Sequence, residues 1–341
     1  MLKAQPNARA SAIIAFAAFA TAAQAGNYSV LHDFAGGPDD GANPYNNVSF
    51  DDAGNLFGTT NLGGSANAGE IFEISAQGAY TTLHAFDGGD GGLDPNAGVT
   101  VDPATGDLYG TTTFGGTPNC RMGCGTLYRL TAQGEFKILH GFDDQKSGRY
   151  PAGQLLRDRK GNIYGVTTSG GPTIGGTIFK YTAAGKFKTL HAFADSDGFQ
   201  PQGNLLVDRS GNLYGATYAG GAFEYGTVFE LTPKGDLTTL YTFTGGGDGG
   251  YPTGGLARDD AGDLYGATDL EGNGTGAPFG TVFKLAPDGT LTTLYTFTGK
   301  ADGGDPTGNV LLSKGKLFWC HDGRRCEEMG RGLCDRSGQR R

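Results

Sequence analysis

The sequence predicts an all-β fold: a β-propeller of about six four-stranded blades, closed by the N-terminal strand and disrupted at the C-terminus. Three observations predict it. First, the chain repeats. GNLFGTT (54–60), GDLYGTT (106–112), GNIYGVT (161–167), GNLYGAT (211–217) and GDLYGAT (262–268) are variants of one phrase, spaced by about 50 to 56 residues, a period in the propeller range. Second, each period holds four short runs rich in Val, Leu, Phe, Tyr and Thr, bounded by Gly, Asp, Asn or Pro, which is the pattern of strands between tight turns. Third, Gly makes up 63 of 341 residues while 21 Phe and 15 Tyr remain available for a core. That combination fits dense turns around buried aromatics better than disorder.

The N-terminus comes first in chain order. Lys3 and Arg9 precede the apolar run SAIIAFAAFATAA, and Ala23-Gln24-Ala25 follows it. A charged region, an apolar region and an A-x-A site together predict a signal peptide over residues 1–25. Its removal takes the formal charge from −9 to −11. No basic stripe interrupts this acidic chain, which argues against a nucleic-acid partner. No later segment is long and apolar enough for a membrane span. The expectation is an exported protein: extracellular, at the cell surface or in the periplasm.

The repeat domain is predicted over residues 26–318. Within residues 202–243, GNLLVD, NLYGAT, GTVFEL and TTLYTF give four strands in order. The turn D-R-S-G-N at 208–212 supplies an Asp to start it and a Gly for a left-handed position. Short connections make strands one and two, and strands three and four, hairpin neighbours. The Gly- and Pro-rich TGGGDGGYPTG then leads to the innermost strand of the next blade. The fourth-strand phrase occurs six times, as LHDF (31–34), LHAF (83–86), LHGF (139–142), LHAF (190–193) and LYTF (240–243 and 294–297). The first copy, in YSVLHDF (28–34), has no inner strands before it. It is expected to complete the last blade, whose inner strands come from the C-terminus. An open solenoid of hairpins is the alternative architecture.

The units GNLYGATYAGGAFEYGTVFELTPKGDLTTLYTF and DLYGATDLEGNGTGAPFGTVFKLAPDGTLTTLYTF resemble the GloVer tandem repeat of "choice-of-anchor" exported proteins. The resemblance covers most of residues 28–318. It implies export and a repeat architecture. It implies no activity and supplies no catalytic residues, and the surface-sorting tail found in some members is missing here.

The tail, 319–341, breaks the repeat. After GKLF (315–318) the pattern calls for G-[AT]-T-T, but the chain reads WCHDGRRCEEMGRGLC. Read one base out of phase, codons allowed for Trp319 to Gly323 can spell Gly-Ala-Thr-Thr-Gly, the expected phrase. The segment is therefore read as a frameshift product. As written it is expected to leave the last blade without its third strand and most of its second. A disulfide is the better functional reading of Cys320, Cys326 and Cys334, because C-H-x4-C-x7-C is not a zinc-finger spacing.

Candidate chemistry is sparse. His32, His84, His140 and His191 share one repeat slot, taken by Tyr241 and Tyr295 later. A residue copied into every blade reads as packing rather than catalysis. No G-x-S-x-G elbow supports a hydrolase triad. Asp90, Asp197, Asp248 and Asp302 lie in Gly-rich loops and are candidates for calcium, although turn formation explains Asp-Gly equally well. No other cofactor is expected. Cys120 and Cys124, in NCRMGCG, are a candidate disulfide. The connectors between blades and the loops between second and third strands share one face. They carry the candidate ligand residues Phe114, Tyr150, Tyr218, Phe223, Tyr225, Tyr251, Asp269 and Glu271. Aromatics beside carboxylates suit sugars or peptides. The expected function is an exported binding or surface-interaction module for a glycan, envelope component or protein. The competing reading is a lyase or glycoside hydrolase with two carboxylates converging in the central funnel, and a third is a purely structural surface protein.

Overall fold

The computed structural model describes residues 30–44, 47–116, 119–270, 279–299, 304, 306, 308–321 and 325–328. The predicted signal peptide lies outside these residues. Among the described residues there is no helix, and every sheet is antiparallel.

Each period folds as one sheet, with its strands in chain order from first to last. Sheet 1 comprises Ser49–Phe50, Leu56–Thr60, Glu70–Ile74 and Tyr80–Ala85. Sheet 2 comprises Thr100–Val101, Leu108–Thr112, Thr126–Leu130 and Phe136–Gly141. Sheet 3 is Arg149–Arg157, Ile163–Ser169, Thr177–Tyr181 and Phe187–Ala192. Sheet 4 is Phe199–Val207, Leu213–Ala219, Thr227–Leu231 and Leu237–Thr242. Sheet 5 is Gly250–Arg258, Leu264–Leu270, Thr281–Leu285 and Leu291–Thr296. The sheets form a propeller-like array packed face to face.

The turns follow from side-chain chemistry. Asp208 accepts hydrogen bonds from the backbone N–H of Ser210 (2.8 Å) and Asn212 (2.9 Å), and from the Tyr214 hydroxyl (3.2 Å). These bonds close the hairpin between first and second strands, and Asp158 makes the equivalent set in sheet 3. The carboxyls of both are held below the ordinary value because those donors stabilise the anion, overcoming the opposing effect of burial.

The core sits between successive sheets. The Phe ending each fourth-strand phrase enters the next sheet and meets its third-strand ring edge-on or tilted: Phe86 on Tyr128 at 5.3 Å, Phe142 on Phe179 at 5.1 Å, Phe193 on Phe229 at 5.1 Å and Phe243 on Phe283 at 5.2 Å. Those four Phe are fully buried, each contributing about 1.5–3 kcal/mol by removal from water. The glycine of the GxLYG phrase makes room for the partner ring. A Cβ on Gly165 would lie 2.5 Å from Phe179 Cζ.

The shared His/Tyr slot packs between sheets, as its repetition suggested. A β-bulge recurs between the third and fourth strands of all five sheets, and a bulge re-aims the side chain beside it. His84 stacks on Phe136 at 3.8 Å and His140 on Phe187 at 3.6 Å. Burial lowers the pKa of both, that of His140 to about 4.

Two expectations about the ends need correction. Residues 30–34 are not hydrogen-bonded as a strand, yet their side chains occupy the fourth-strand positions. His32 stacks on Tyr80 at 3.8 Å and Phe34 meets Phe72 at 5.1 Å. At the other end, the sequence as written does form the strands it was expected to lack. Leu311–Ser313, Lys316–His321 and Arg325–Glu328 make a three-stranded sheet 6. The physical reason is visible at Trp319, which stands in the glycine slot and is only 3 % exposed. Its indole meets Phe297 at 6.2 Å and 84°, so it meets the incoming Phe that a third-strand ring meets in the other sheets. Residues 329–341 lie outside the described residues.

Candidate functional site

Neighbouring innermost strands approach closely. A Cβ on Gly98 would collide with the Asn47 carbonyl, one on Gly153 with that of Gly203, and one on Gly203 with that of Gly254. Side-chain amides bridge the same strands. Asn204 Oδ1 accepts from Gln154 N (2.7 Å), and Gln154 Nε2 donates to Ser49 Oγ and to the Val99 carbonyl (both 2.7 Å). Gln154 thus ties sheet 3 to sheets 1 and 2.

One end holds the turns between first and second strands. An open groove of about 610 Å³ lies there, lined by Thr100, Val101, Pro103 and residues 154–159. Its charges are largely committed: Arg157 bonds Asp102 at 2.6 Å.

The other end holds the connectors and the loops between second and third strands. Here the structure brings together four of the candidate residues. Tyr251 stacks on Tyr218 at 5.0 Å and tilts against Tyr225 at 5.4 Å. The Tyr218 hydroxyl donates to Asp269 Oδ2 at 3.5 Å, and burial together with this carboxylate raises the Tyr218 pKa. The cluster joins sheets 4 and 5. A second pair joins sheets 2 and 3, where Phe114 meets Tyr150 edge-on at 5.3 Å and the Arg149 guanidinium lies over the Tyr150 ring at 5.2 Å. Phe223 stands apart, 54 % exposed. Glu271 lies outside the described residues.

The loop carboxylates serve turns. Asp197 accepts from His191 (2.9 Å) and from Ala194 N (2.9 Å). Asp248 accepts from Tyr241 (3.0 Å) and from Thr244 N (2.8 Å), raising the tyrosine pKa to about 12 through burial and this hydrogen bond. Asp90 is exposed, and Asp302 lies outside the described residues. Among the described residues no three His, Cys, Asp or Glu side chains converge as a metal site would require. Cys120 and Cys124 are joined by a disulfide, with Cα atoms 5.2 Å apart.

Sequence reasoning missed three residues at the same end: Asn43, Asp94 and Gln200. With Tyr150 and Tyr251 they each precede the proline that opens an inner strand, and all five have φ between 55° and 59°. The repeated proline was visible in the sequence, but the left-handed residue before it was not. Asn61 and Asn96 add an amide pair nearby, with Nδ2 to Oδ1 at 3.4 Å. Burial raises the Asp94 carboxyl pKa.

A family model described as Gloeobacter/Verrucomicrobia repeat matches residues 17–156 and 117–330. Among solved structures, the chain is similar to the GH74 enzyme of Niastella koreensis (17 % identity, TM-score 0.55), over 85 % of this chain and 42 % of that one. It is also similar to a gluconolactonase of Xanthomonas campestris (18 %, TM-score 0.44), over 79 % and 80 % of the two chains. A luciferin-regenerating enzyme matches at 14 % identity and TM-score 0.46, over 84 % of each chain. At such identities the likeness is one of fold alone. None of the curated proteins matches this sequence.

Proposed function

Because the chain belongs to the Gloeobacter/Verrucomicrobia repeat family, we propose that it is an exported six-bladed repeat propeller that binds carbohydrate on its connector face. The observation that carries the reading is the Tyr218–Tyr225–Tyr251 cluster with Asp269 beside it. Aromatic faces cover the C–H faces of a sugar while a carboxylate accepts its hydroxyls, and such sites combine apolar walls with a few fixed polar groups. Titrating the exported protein with soluble oligosaccharides tests it: saturable heat or fluorescence change is expected, and its absence across neutral and acidic glycans sinks the reading.

In this reading the N-terminal segment completes the sixth blade. His32 and Phe34 sit against sheet 1 as the fourth strand of each blade sits against the next. Export is checked by intact mass, which should begin at Gly26.

A second reading, cleavage of a glycosidic bond, draws on Asp94 and Asp269 at the same end. Burial raises the Asp94 carboxyl pKa, and a carboxylic acid held protonated is one half of the pair that such chemistry uses. Release of new reducing ends from a bound oligosaccharide would favour it over simple binding.

A further inference from the structure

The residue before each inner-strand proline holds a left-handed backbone: Asn43, Asp94, Tyr150, Gln200 and Tyr251 have φ of 56°, 59°, 57°, 57° and 55°. Only glycine adopts this region freely, and for a bulky residue such as tyrosine it is an outlier. The chain is not short of glycine. It places Gly at most of its other left-handed positions, yet at this slot it never does. The sixth repeat has Asp305, which lies outside the described residues.

The backbone around the slot is the same in four of these five repeats. The N–H of Asp94 donates to Ala68 O, Tyr150 to Cys124 O, Gln200 to Gly175 O and Tyr251 to Tyr225 O, at 2.8 to 3.1 Å. The prolines that follow, Pro95, Pro151, Pro201 and Pro252, are buried against a glycine of the preceding sheet. The slot residues themselves all keep solvent access. In these four the frame is therefore constant while the side chain varies: carboxylate, phenol, amide, phenol; Asn43 shares the backbone angle, but Pro44 after it is exposed. Strain that is kept where glycine would relieve it marks a side chain that is needed, and such strain gathers at binding sites.

Resting on the carbohydrate reading above, we infer that this slot is the set of specificity-determining positions, one side chain per blade, and that its ligand is an uncharged oligosaccharide. Amides and a carboxylate exchange hydrogen bonds with vicinal hydroxyls, and the two tyrosines offer stacking faces. Acidic sugars are disfavoured. The ring contains Asp94, Asp269 is close by through Tyr218, and the nearby cation Arg149 is paired with Asp144 at 3.3 Å.

Glycine substitution separates recognition from folding. Asn43→Gly, Asp94→Gly and Gln200→Gly each remove the side chain and relieve the strain. Calorimetric titration uses maltohexaose, cellohexaose and xylohexaose, with polygalacturonate as the anionic probe. The expected result is a melting temperature unchanged or raised, with affinity for the neutral hexasaccharide that binds wild type weakened about tenfold, the order of one or two lost hydrogen bonds. If wild type binds none of the four probes, the carbohydrate reading itself falls. If wild type binds and the glycine variants bind equally well, only the assignment of the slot falls. Preference for polygalacturonate overturns the ligand class, and a marked drop in melting temperature of all three variants shows that the side chains are kept for packing.

Discussion

Phe193→Ala should be among the most costly single truncations in the protein. Phe193 is fully buried between sheets 3 and 4, among Val166, Ile178, Leu205, Leu213, Phe229 and Leu231. Its ring lies 5.1 Å from Phe229 and 4.9 Å from His191. Removing a buried phenyl costs about 3–5 kcal/mol, more where the walls cannot collapse. Here the walls are strands fixed by ladders on both sides, so the upper half of that range applies, about 4–5 kcal/mol. For a domain of this size that corresponds to a fall of roughly 8–15 °C in melting temperature. Urea unfolding followed by far-UV circular dichroism measures the loss directly, and Trp319, the only tryptophan, reports sheet 6 in the same experiment. Phe223→Ala is the control. Phe223 is more than half exposed, so its truncation should fall within about 0.5 kcal/mol of wild type. A Phe193→Ala loss below about 1 kcal/mol, or one equal to the control, would refute the claim that these rings hold successive sheets together.

Other outcomes follow from the same geometry. Phe34→Ala should cost measurably more than Phe223→Ala but less than Phe193→Ala, because Phe34 is half-buried in the equivalent slot; equality with the exposed control in urea unfolding would mean that the N-terminal segment does not complete a blade. Asp208→Ala should destabilise by about 1–3 kcal/mol, since it strips Ser210 N and Asn212 N of their acceptor and leaves the Tyr214 hydroxyl only Glu230. Stability should fall as pH drops from about 6.5 to about 4, where unfolded His140 binds a proton that the buried native side chain resists, and should be complete above that window. His140→Tyr, the exchange that the later repeats make themselves, should flatten this dependence in melting curves at pH 7 and pH 5. DNA sequencing across codons 315–341 decides the tail. A single-base lesion restoring Gly-Ala-Thr-Thr would put glycine back in the slot that Trp319 fills. A confirmed frame would make Trp319→Gly a cavity mutation with a large loss of stability.

The strands and hairpins were legible because their causes are local. Alternating aromatics, Asp at each turn between first and second strands and Gly at most left-handed corners specify the four strands of each period without reference to distant residues. The role of the shared histidines was legible too, since one slot filled six times cannot be six active sites. Other features depend on partners far along the chain. Tyr218, Tyr225 and Tyr251 were named one by one, but only the packing of sheet 4 on sheet 5 stacks them. The left-handed residue before the prolines was invisible because in four of the five repeats it is held by a buried proline and by a carbonyl of the preceding sheet, partners far along the chain. At the tail, the broken repeat suggested missing strands, while an indole in place of a glycine lets the chain pair again at Arg325–Glu328.

The most direct measurement is hydroxyl-radical footprinting of the exported protein with and without a saturating neutral oligosaccharide. The account predicts protection of Tyr218, Tyr225 and Tyr251, with Pro103 and Leu156 in the opposite groove unchanged. Protection of Pro103 and Leu156 with the tyrosines unaffected would place the ligand on the wrong face and contradict it.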